Sequence, residues 1–428
     1  MSNPSGSLVL ADSFFETRIV PSGWCGERGF PLSQAWALGC QVLSELGLSA
    51  TFFDLGGDPG AWQCRLAFPD GTTAPEMFGS GKGQRPAARV GALYEALEHY
   101  LTGPKSYQSN LVVWRSAHEL ASELHVDQAV ALLAENPDAQ VPCRQYVSLA
   151  DGAQISAPLF LSAPWYVEES HRTARQEIGD CYDYRLASRF SLNNGCAIGA
   201  SRAEAMVHAI NEIIERDALS IFLARSFFNS GAPLAVFDRV SLPGDLAQML
   251  SYAESLIDEE IHLFDITTDL GVPSVLAYGP PDDRGVVRYG CGTSLSYGHA
   301  AYRAIGELIQ GHLALSPLQD YRPPTLDHMS SFPTLRRCAK LELESLSGRF
   351  HSVPFRDTDP PAEPDEHLSR LLDILTDHGY VPYVSPIREF SSGVSVVHIL
   401  IPGMERFMVV LHGHVVTPGA RCLAALET

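Results

Sequence analysis

The sequence lacks the marks of several large protein classes. No C-x-x-C pair occurs among its nine cysteines (Cys25, Cys40, Cys64, Cys143, Cys181, Cys196, Cys291, Cys338 and Cys422). Their odd number and scatter argue against a zinc site or a disulfide framework and suit a reducing cytoplasm. Basic residues are scarce: 30 Lys and Arg face 50 Asp and Glu, a net charge of −20. Such an acid balance sets nucleic acid and anionic membranes aside as main partners, while leaving room for a local basic pocket. No apolar run approaches the length of a membrane span. The opening MSNPSGSLVLADSFFE has neither a basic n-region nor a long apolar h-region, so a secretion signal is not expected. A G-x-x-x-x-G-K-[ST] loop and the protein-kinase signatures are also missing. What remains is a chain of 428 residues, 45% hydrophobic and 19% charged, able to bury a substantial core as one large or two ordinary domains.

The most informative stretch is 191–225, SLNNGCAIGASRAEAMVHAINEIIERDALSIFLAR. It opens with glycine punctuation at Gly195 and Gly199 and continues as a long helical pattern from Ser201. Ser201 and Glu204 have the S-x-x-E spacing of a capping box. At about 100° per residue, Glu204, His208, Asn211 and Glu215 share one stripe, with Glu212 beside it. The remaining positions are apolar nearly all round. Three glutamates on a helix face are by themselves well read as solvated surface. A helix that is otherwise apolar suggests instead a buried element whose carboxylates face a ligand.

A coarse reading of the rest places a loosely structured lead-in over 1–32 and helices at 31–48, 86–101, 117–135, 247–257, 297–313 and 367–378. Strands are expected at 50–55, 62–68, 261–267, 273–278, 286–290, 380–384, 394–401 and 407–411, and a surface loop at 316–335. Three times a small-residue loop gives way to an alanine-rich helix bearing Glu, at 79–101, 191–225 and 290–313. Loop–helix junctions bind anions through backbone N–H groups and the helix dipole. Acidic side chains deeper in such helices would hold a divalent cation that bridges phosphates. Glu95 and Glu98 lie one turn apart on the first of these helices, so their carboxylates can converge. No general base stands out. His208 reads as a structural partner, and His412 and His414 as strand neighbours on one face.

These segments resemble the YcaO family of ATP-dependent peptide-backbone cyclodehydratases, as separated motifs from about residue 75 onward. Gly81-Lys82-Gly83 with Glu95 and Glu98 is similar to the first signature, with His99 where the family usually has arginine. Asn194-Gly195, Gly199, Glu204-Ala205, Glu212, Glu215 and Arg216 are similar to the second, with Ala197 where several members carry serine. Pro402-Gly403-Met404-Glu405 is similar to the late P-G-[LM]-E signature, and FDIT at 264–267 and GTSLSY at 292–297 resemble the stand-alone cyclodehydratase subunit of microcin-type azole synthetases. The chain ends CLAALET rather than in the proline-rich tail of many members.

The resemblance implies an α/β fold with mixed β-sheets and the repeated loop–helix units packed around one nucleotide cleft. It divides the chain into an N-terminal extension or subdomain over 1–74 and a YcaO-like ATP-binding core over 75–428. Glu95, Glu98, Glu204, Glu212 and Glu215 would coordinate magnesium, directly or through water. Lys82 and Arg216 would neutralise phosphate charge and act in catalysis, with Asn194, Gly195, Glu204 and Arg303 contacting the nucleotide. The cofactors are ATP and Mg2+. The family reaction closes Cys, Ser or Thr onto the preceding carbonyl and removes its oxygen as phosphate, giving an azoline. Variants deliver sulfide or an amine to the same carbonyl, and a non-catalytic scaffold is a further alternative. A precursor peptide, a partner that binds its leader and an FMN-dependent azoline dehydrogenase are the implied partners.

Overall fold

The computed structural model describes residues 26–107, 112–229 and 231–427. Most of the lead-in expected over 1–32 lies outside them. The strands are β1 (Ser49–Gly57), β2 (Gly60–Ala67), β3 (Phe78–Gly83), β4 (Val113–Ser116), β5 (Gln140–Ser148), β6 (Gln154–Pro158), β7 (Cys196–Gly199), β8 (Leu234–Phe237), β9 (His262–Asp265), β10 (Ser274–Gly279), β11 (Arg288–Thr293), β12 (Phe350–Val353), β13 (Tyr383–Glu389) and β14 (Ser395–Leu400). They form three sheets: β1-β2-β3, β11-β10-β9-β8-β12, and β4-β5-β13-β14-β7 with β6 paired to β5. Only the β8–β12 pair is parallel among the described pairings. The fold is mixed α/β. The first sheet runs across residue 74, because β2 pairs with β3 from Gly60↔Gly83 to Arg65↔Phe78.

The central helix is Arg202–Phe228. Ser201 caps it by accepting the Glu204 N–H at 3.2 Å, a contribution of about 1 kcal/mol. Outside its acidic stripe the helix is apolar because two cores share it. Ala205, Val207, Ile210 and Ile214 pack with Leu371 and Leu375 of the helix Pro364–Asp377. Further along, Leu219, Phe222 and Leu223 join Phe264, Leu276 and Phe407. Each of the Val, Ile, Leu and Phe side chains contributes about 1.5–3 kcal/mol on burial.

Two small-residue stretches expected as loops are strands, and the strand expected over 286–290 runs on to Thr293. GSGKG lies in β3, CAIG is β7 and RYGCGT is β11. Their glycines serve close packing: a Cβ on Gly81 would overlap the Ala88 carbonyl of the helix Arg85–Thr102, and one on Gly292 the Ala300 carbonyl of the helix Tyr297–Leu315. Glycine-rich strands read as loops from sequence because glycine weakens both regular structures.

Three other expectations need correction. The helix expected over 117–135 breaks into Ala117–Glu123 and Gln128–Ala131, because Asp127 adopts an extended backbone and caps Ala129 and Val130. Residues 407–411 form the 3-10 helix Phe407–His412 rather than a strand. His412 and His414 therefore do not share a strand face: Gly413, with φ 82, turns the chain between them. The loop expected over 316–335 gives way to the short helix Pro333–Ala339.

Candidate active site

Three strand–helix units converge on one cleft. β3 supplies Lys82, and the helix after it supplies Glu95 and Glu98. The turn before β7 supplies Asn194 and Gly195, and the central helix Glu204, His208, Asn211, Glu212, Glu215 and Arg216. The helix Tyr297–Leu315 supplies Arg303 and Glu307. Cross-links between units fix their approach. Lys82 Nζ donates to Glu307 Oε2 at 2.5 Å, Glu98 Oε2 accepts the Ile198 N–H of β7 at 3.0 Å, and Arg303 Nη2 lies 3.9 Å from Glu215 Oε2.

The five glutamates divide by how their oxygens are satisfied. Glu204, 3% exposed, accepts the Gly29 N–H at 2.7 Å on one oxygen and the Ala200 N–H at 3.1 Å on the other. Its capping box is thus half formed, since Ser201 caps the helix while the carboxylate reaches Ala200 and Gly29 instead of the Ser201 N–H. Glu212 accepts the Gly195 N–H at 2.9 Å and sits 3.4 Å from Arg216 Nη1. Gly195 has φ 85, and a Cβ there would strike the Ile399 carbonyl. Arg216 pairs with Glu212 and donates to the Asn193 carbonyl.

The carboxyls of Glu95, Glu98 and Glu215 are all raised, although Glu98 accepts the Ile198 N–H. Glu215 Oε2 is buried without a hydrogen-bond partner. Burial, with Glu307 and Glu212 nearby, pushes its carboxyl up to about 7, although Arg303 and Lys82 pull the other way. Glu98 is pushed well above the carboxylate range by burial, then by Glu212 and Glu95. Glu95 is raised by burial and Glu307 against the pull of His99 and Lys82. Burial opposes the charge on Arg303, yet Glu215, Glu27 and Glu307 hold its guanidinium above the usual arginine value. His208, 3.5 Å from Arg303 Nη1, is held neutral by burial and that guanidinium.

Beside Arg216 a crevice is lined by Phe190, Leu192, Asn194, Arg406, Met408 and Val409. Asn194 is 7% exposed and its Oδ1 lacks a partner. His99, in the usual arginine position, is bound to the Phe78 carbonyl at 2.7 Å. Glu405 of the P-G-M-E segment accepts the Gly419 and Cys422 N–H groups. Sequence reasoning missed Glu27, whose carboxylate meets Asn211 and Ser294, because no local pattern marks it. Glu307 was signalled by lying one turn from Arg303.

Among the described residues no three His, Cys, Asp or Glu side chains are already gathered around a metal position. Magnesium does not require such a cage. It keeps several waters and takes one or two carboxylates together with substrate phosphates. The unpartnered buried Oε2 of Glu215 and the raised carboxyls of Glu95 and Glu98, near Lys82 and Arg303, are the right hard-oxygen chemistry, so the residues fit Mg2+ and a polyphosphate.

The family model described as "YcaO cyclodehydratase, ATP-ad Mg2+-binding" matches residues 80–405. The chain belongs to the YcaO family. ATP and Mg2+ are the cofactors of that family. Among curated relatives, an uncharacterised protein of Methanothermobacter thermautotrophicus is 30% identical over 232 residues, covering 51% of this chain and 57% of the relative. The ribosomal protein S12 methylthiotransferase accessory factor YcaO of Escherichia coli is 25% identical, covering 50% of this chain and 36% of that one. The matches to curated relatives thus span little more than half of their length at most. Two solved structures share the fold. YcaO from Methanopyrus kandleri, bound with AMPPCP and Mg2+, has a TM-score of 0.62 at 17% identity, covering 91% of this chain and 96% of that one. A chain of the Escherichia coli microcin synthetase McbBCD complex has 0.57 at 14% identity, covering 83% and 88%. None of the helices among the described residues is long and apolar enough to cross a membrane.

Proposed function

We propose that the chain is an ATP-dependent cyclodehydratase that converts Cys, Ser or Thr residues of a ribosomally made precursor peptide into azolines. The observation that carries this reading is the trio Glu95, Glu98 and Glu215, enclosed together and raised by burial and by neighbouring carboxylates. Buried acid groups in that state either keep a proton or exchange it for positive charge from outside the chain. Glu95, Glu98 and Glu215 would hold magnesium directly or through water. Glu204 and Glu212 complete the set, since a carboxylate oxygen that takes one N–H keeps a second lone pair. Lys82, Arg216 and Arg303, with the backbone at Asn194 and Gly195, would face the phosphates. When bound, Mg·ATP supplies the phosphoryl group that lets the former amide oxygen leave as phosphate.

The chain's own part is positioning and charge, as in other phosphoryl transfers. Arg303 offers a guanidinium held charged by its acid neighbours. Lys82 is aimed into the cleft by its bond to Glu307. Arg216 is braced by Glu212 and the Asn193 carbonyl. The nucleophile is the substrate's own thiol or hydroxyl, so no Ser–His–Asp set is needed. A leader-binding partner and an FMN-dependent dehydrogenase, which oxidises azoline to azole, complete the proposed assembly. The fold shared with a chain of the microcin synthetase complex supports this reading.

The test is mass spectrometry of a candidate precursor incubated with the chain, magnesium and ATP, with and without partners. One water mass is lost per ring formed, with release of ADP and phosphate. Exchange of oxygen for sulfur would identify thioamide formation instead. No ATP-dependent change even with partners present would leave a scaffold, and complete dehydration by the chain alone would remove the partner requirement.

A further inference from the structure

Residues 26–29 lie just ahead of the first helix, Leu32–Leu46, and their contacts reach far along the chain. Glu27 is the buried member of the four, at 5% exposure. Its Oε1 accepts the Ser294 hydroxyl at 2.5 Å and the Asn211 side-chain amide at 3.2 Å. Its Oε2 lies 3.6 Å from His299 Nε2. On one side of it the Gly26 N–H donates to the Pro361 carbonyl at 3.3 Å. On the other, the Gly29 N–H reaches Glu204 Oε1 at 2.7 Å, and Arg28 Nη1 stands 3.7 Å from Glu204 Oε2.

We propose that Glu27 is a positioning residue of the nucleotide cleft: its carboxylate seats residues 26–29 on Asn211, Ser294 and His299, so that docking of this segment and binding of nucleotide become linked. The inference rests on reading the cleft as the nucleotide site. Two of the three units that form the cleft meet at Glu27, the central helix through Asn211 and the β11 unit through Ser294 and His299. The same segment covers Glu204. A docked segment fixes the spacing of those two units before nucleotide arrives, whereas an undocked one withdraws the Gly29 N–H from Glu204 and the Glu27 carboxylate from Asn211, Ser294 and His299. A simple folding staple would change stability and leave nucleotide affinity alone. Linkage instead requires reciprocity: the factor by which docking tightens nucleotide is the factor by which nucleotide tightens docking.

Trypsin cleavage after Arg28, whose side chain is 46% exposed, reads docking in the full chain. Calorimetry with a non-hydrolysable ATP analogue and magnesium reads binding. The analogue is expected to slow that cleavage about 5-fold or more in the wild type, within the usual range of coupling between sites. Glu27→Gln and Ser294→Ala should each weaken analogue binding and speed the cleavage by about 5–20-fold, with Glu27→Asp recovering part of both and all three variants melting cooperatively. If the wild type binds the analogue with its Arg28 cleavage unchanged, or Glu27→Gln binds it as tightly as wild type, the linkage is wrong while the nucleotide reading stands. A wild type that binds no analogue would overturn both.

Discussion

Asp217 and Glu215 stand two residues apart on one helix, in opposite circumstances. Asp217 is fully buried, and every approach to it is answered. Arg421 donates to both of its oxygens, at 2.9 and 3.0 Å, and the Glu405 N–H adds a third bond at 2.9 Å. Glu405 in turn caps the first turn of the helix Ala420–Glu427. Arg421 also holds Asp269 and Tyr380. Burial still pushes the Asp217 carboxyl upward, but Arg421 opposes it from hydrogen-bonding distance. Glu215 has one buried oxygen with no hydrogen bond and an arginine only at 3.9 Å. Burial of an acid is therefore no sign of function by itself. The informative difference is whether the protein supplies its partners, since an unpaired buried charge is costly unless something else arrives.

The sharpest way to break this contrast is on the satisfied side. Arg421→Ala leaves Asp217 buried with little beyond one N–H, and should lower stability by about 3–5 kcal/mol in denaturant titration, with magnesium present or absent. On the unsatisfied side the effect should move from stability to function. Glu98→Gln and Glu215→Gln remove a costly buried acid, so the nucleotide-free protein should be as stable as wild type or slightly more so. Their ATP turnover should nevertheless fall about 100-fold, the upper end for disturbing a metal's immediate surroundings. Equal losses of stability on both sides would erase the distinction.

His398 offers a pH version of the satisfied case. It is buried between the Tyr146 hydroxyl at 2.9 Å and the Leu161 carbonyl at 3.1 Å. Burial, then Arg144 and Arg406, depress it to about 3. The unfolded chain binds that proton near pH 6.5, so this contribution is complete above about 6.5 and is lost as pH falls toward 3, at up to about 1.4 kcal/mol per unit. His398→Gln should flatten the stability–pH curve over that window. Smallest of all, Ser201→Ala removes a helix cap and should cost about 1 kcal/mol, with nucleotide affinity nearly unchanged.

Much of this arrangement was legible in the sequence because it is local. The 3.6-residue period marked the central helix, and the S-x-x-E spacing marked its start at Ser201. The spacing of Glu95 and Glu98 placed both on one helical unit. What escaped was set by distant parts of the chain. β3 and β7 are strands whose glycines meet helix backbone, and glycine carries no signal of which neighbour it will meet. The apolar run at 407–411 suits a strand, but it is folded as a 3-10 helix against the core. Glu27 joins the cleft through a partner 184 residues away, and the Gly/Pro-rich sequence around it gives no warning. Which glutamates burial would raise, and that Glu215 would keep an oxygen without a partner, are likewise decided only by packing.

The most direct test of the account is calorimetric titration of ATP into the full chain with magnesium present and with it chelated. The account predicts binding that requires magnesium and that disappears, with folding intact, in a Glu95→Gln, Glu98→Gln, Glu215→Gln triple variant. Undiminished binding to that variant, or binding indifferent to magnesium, would contradict it.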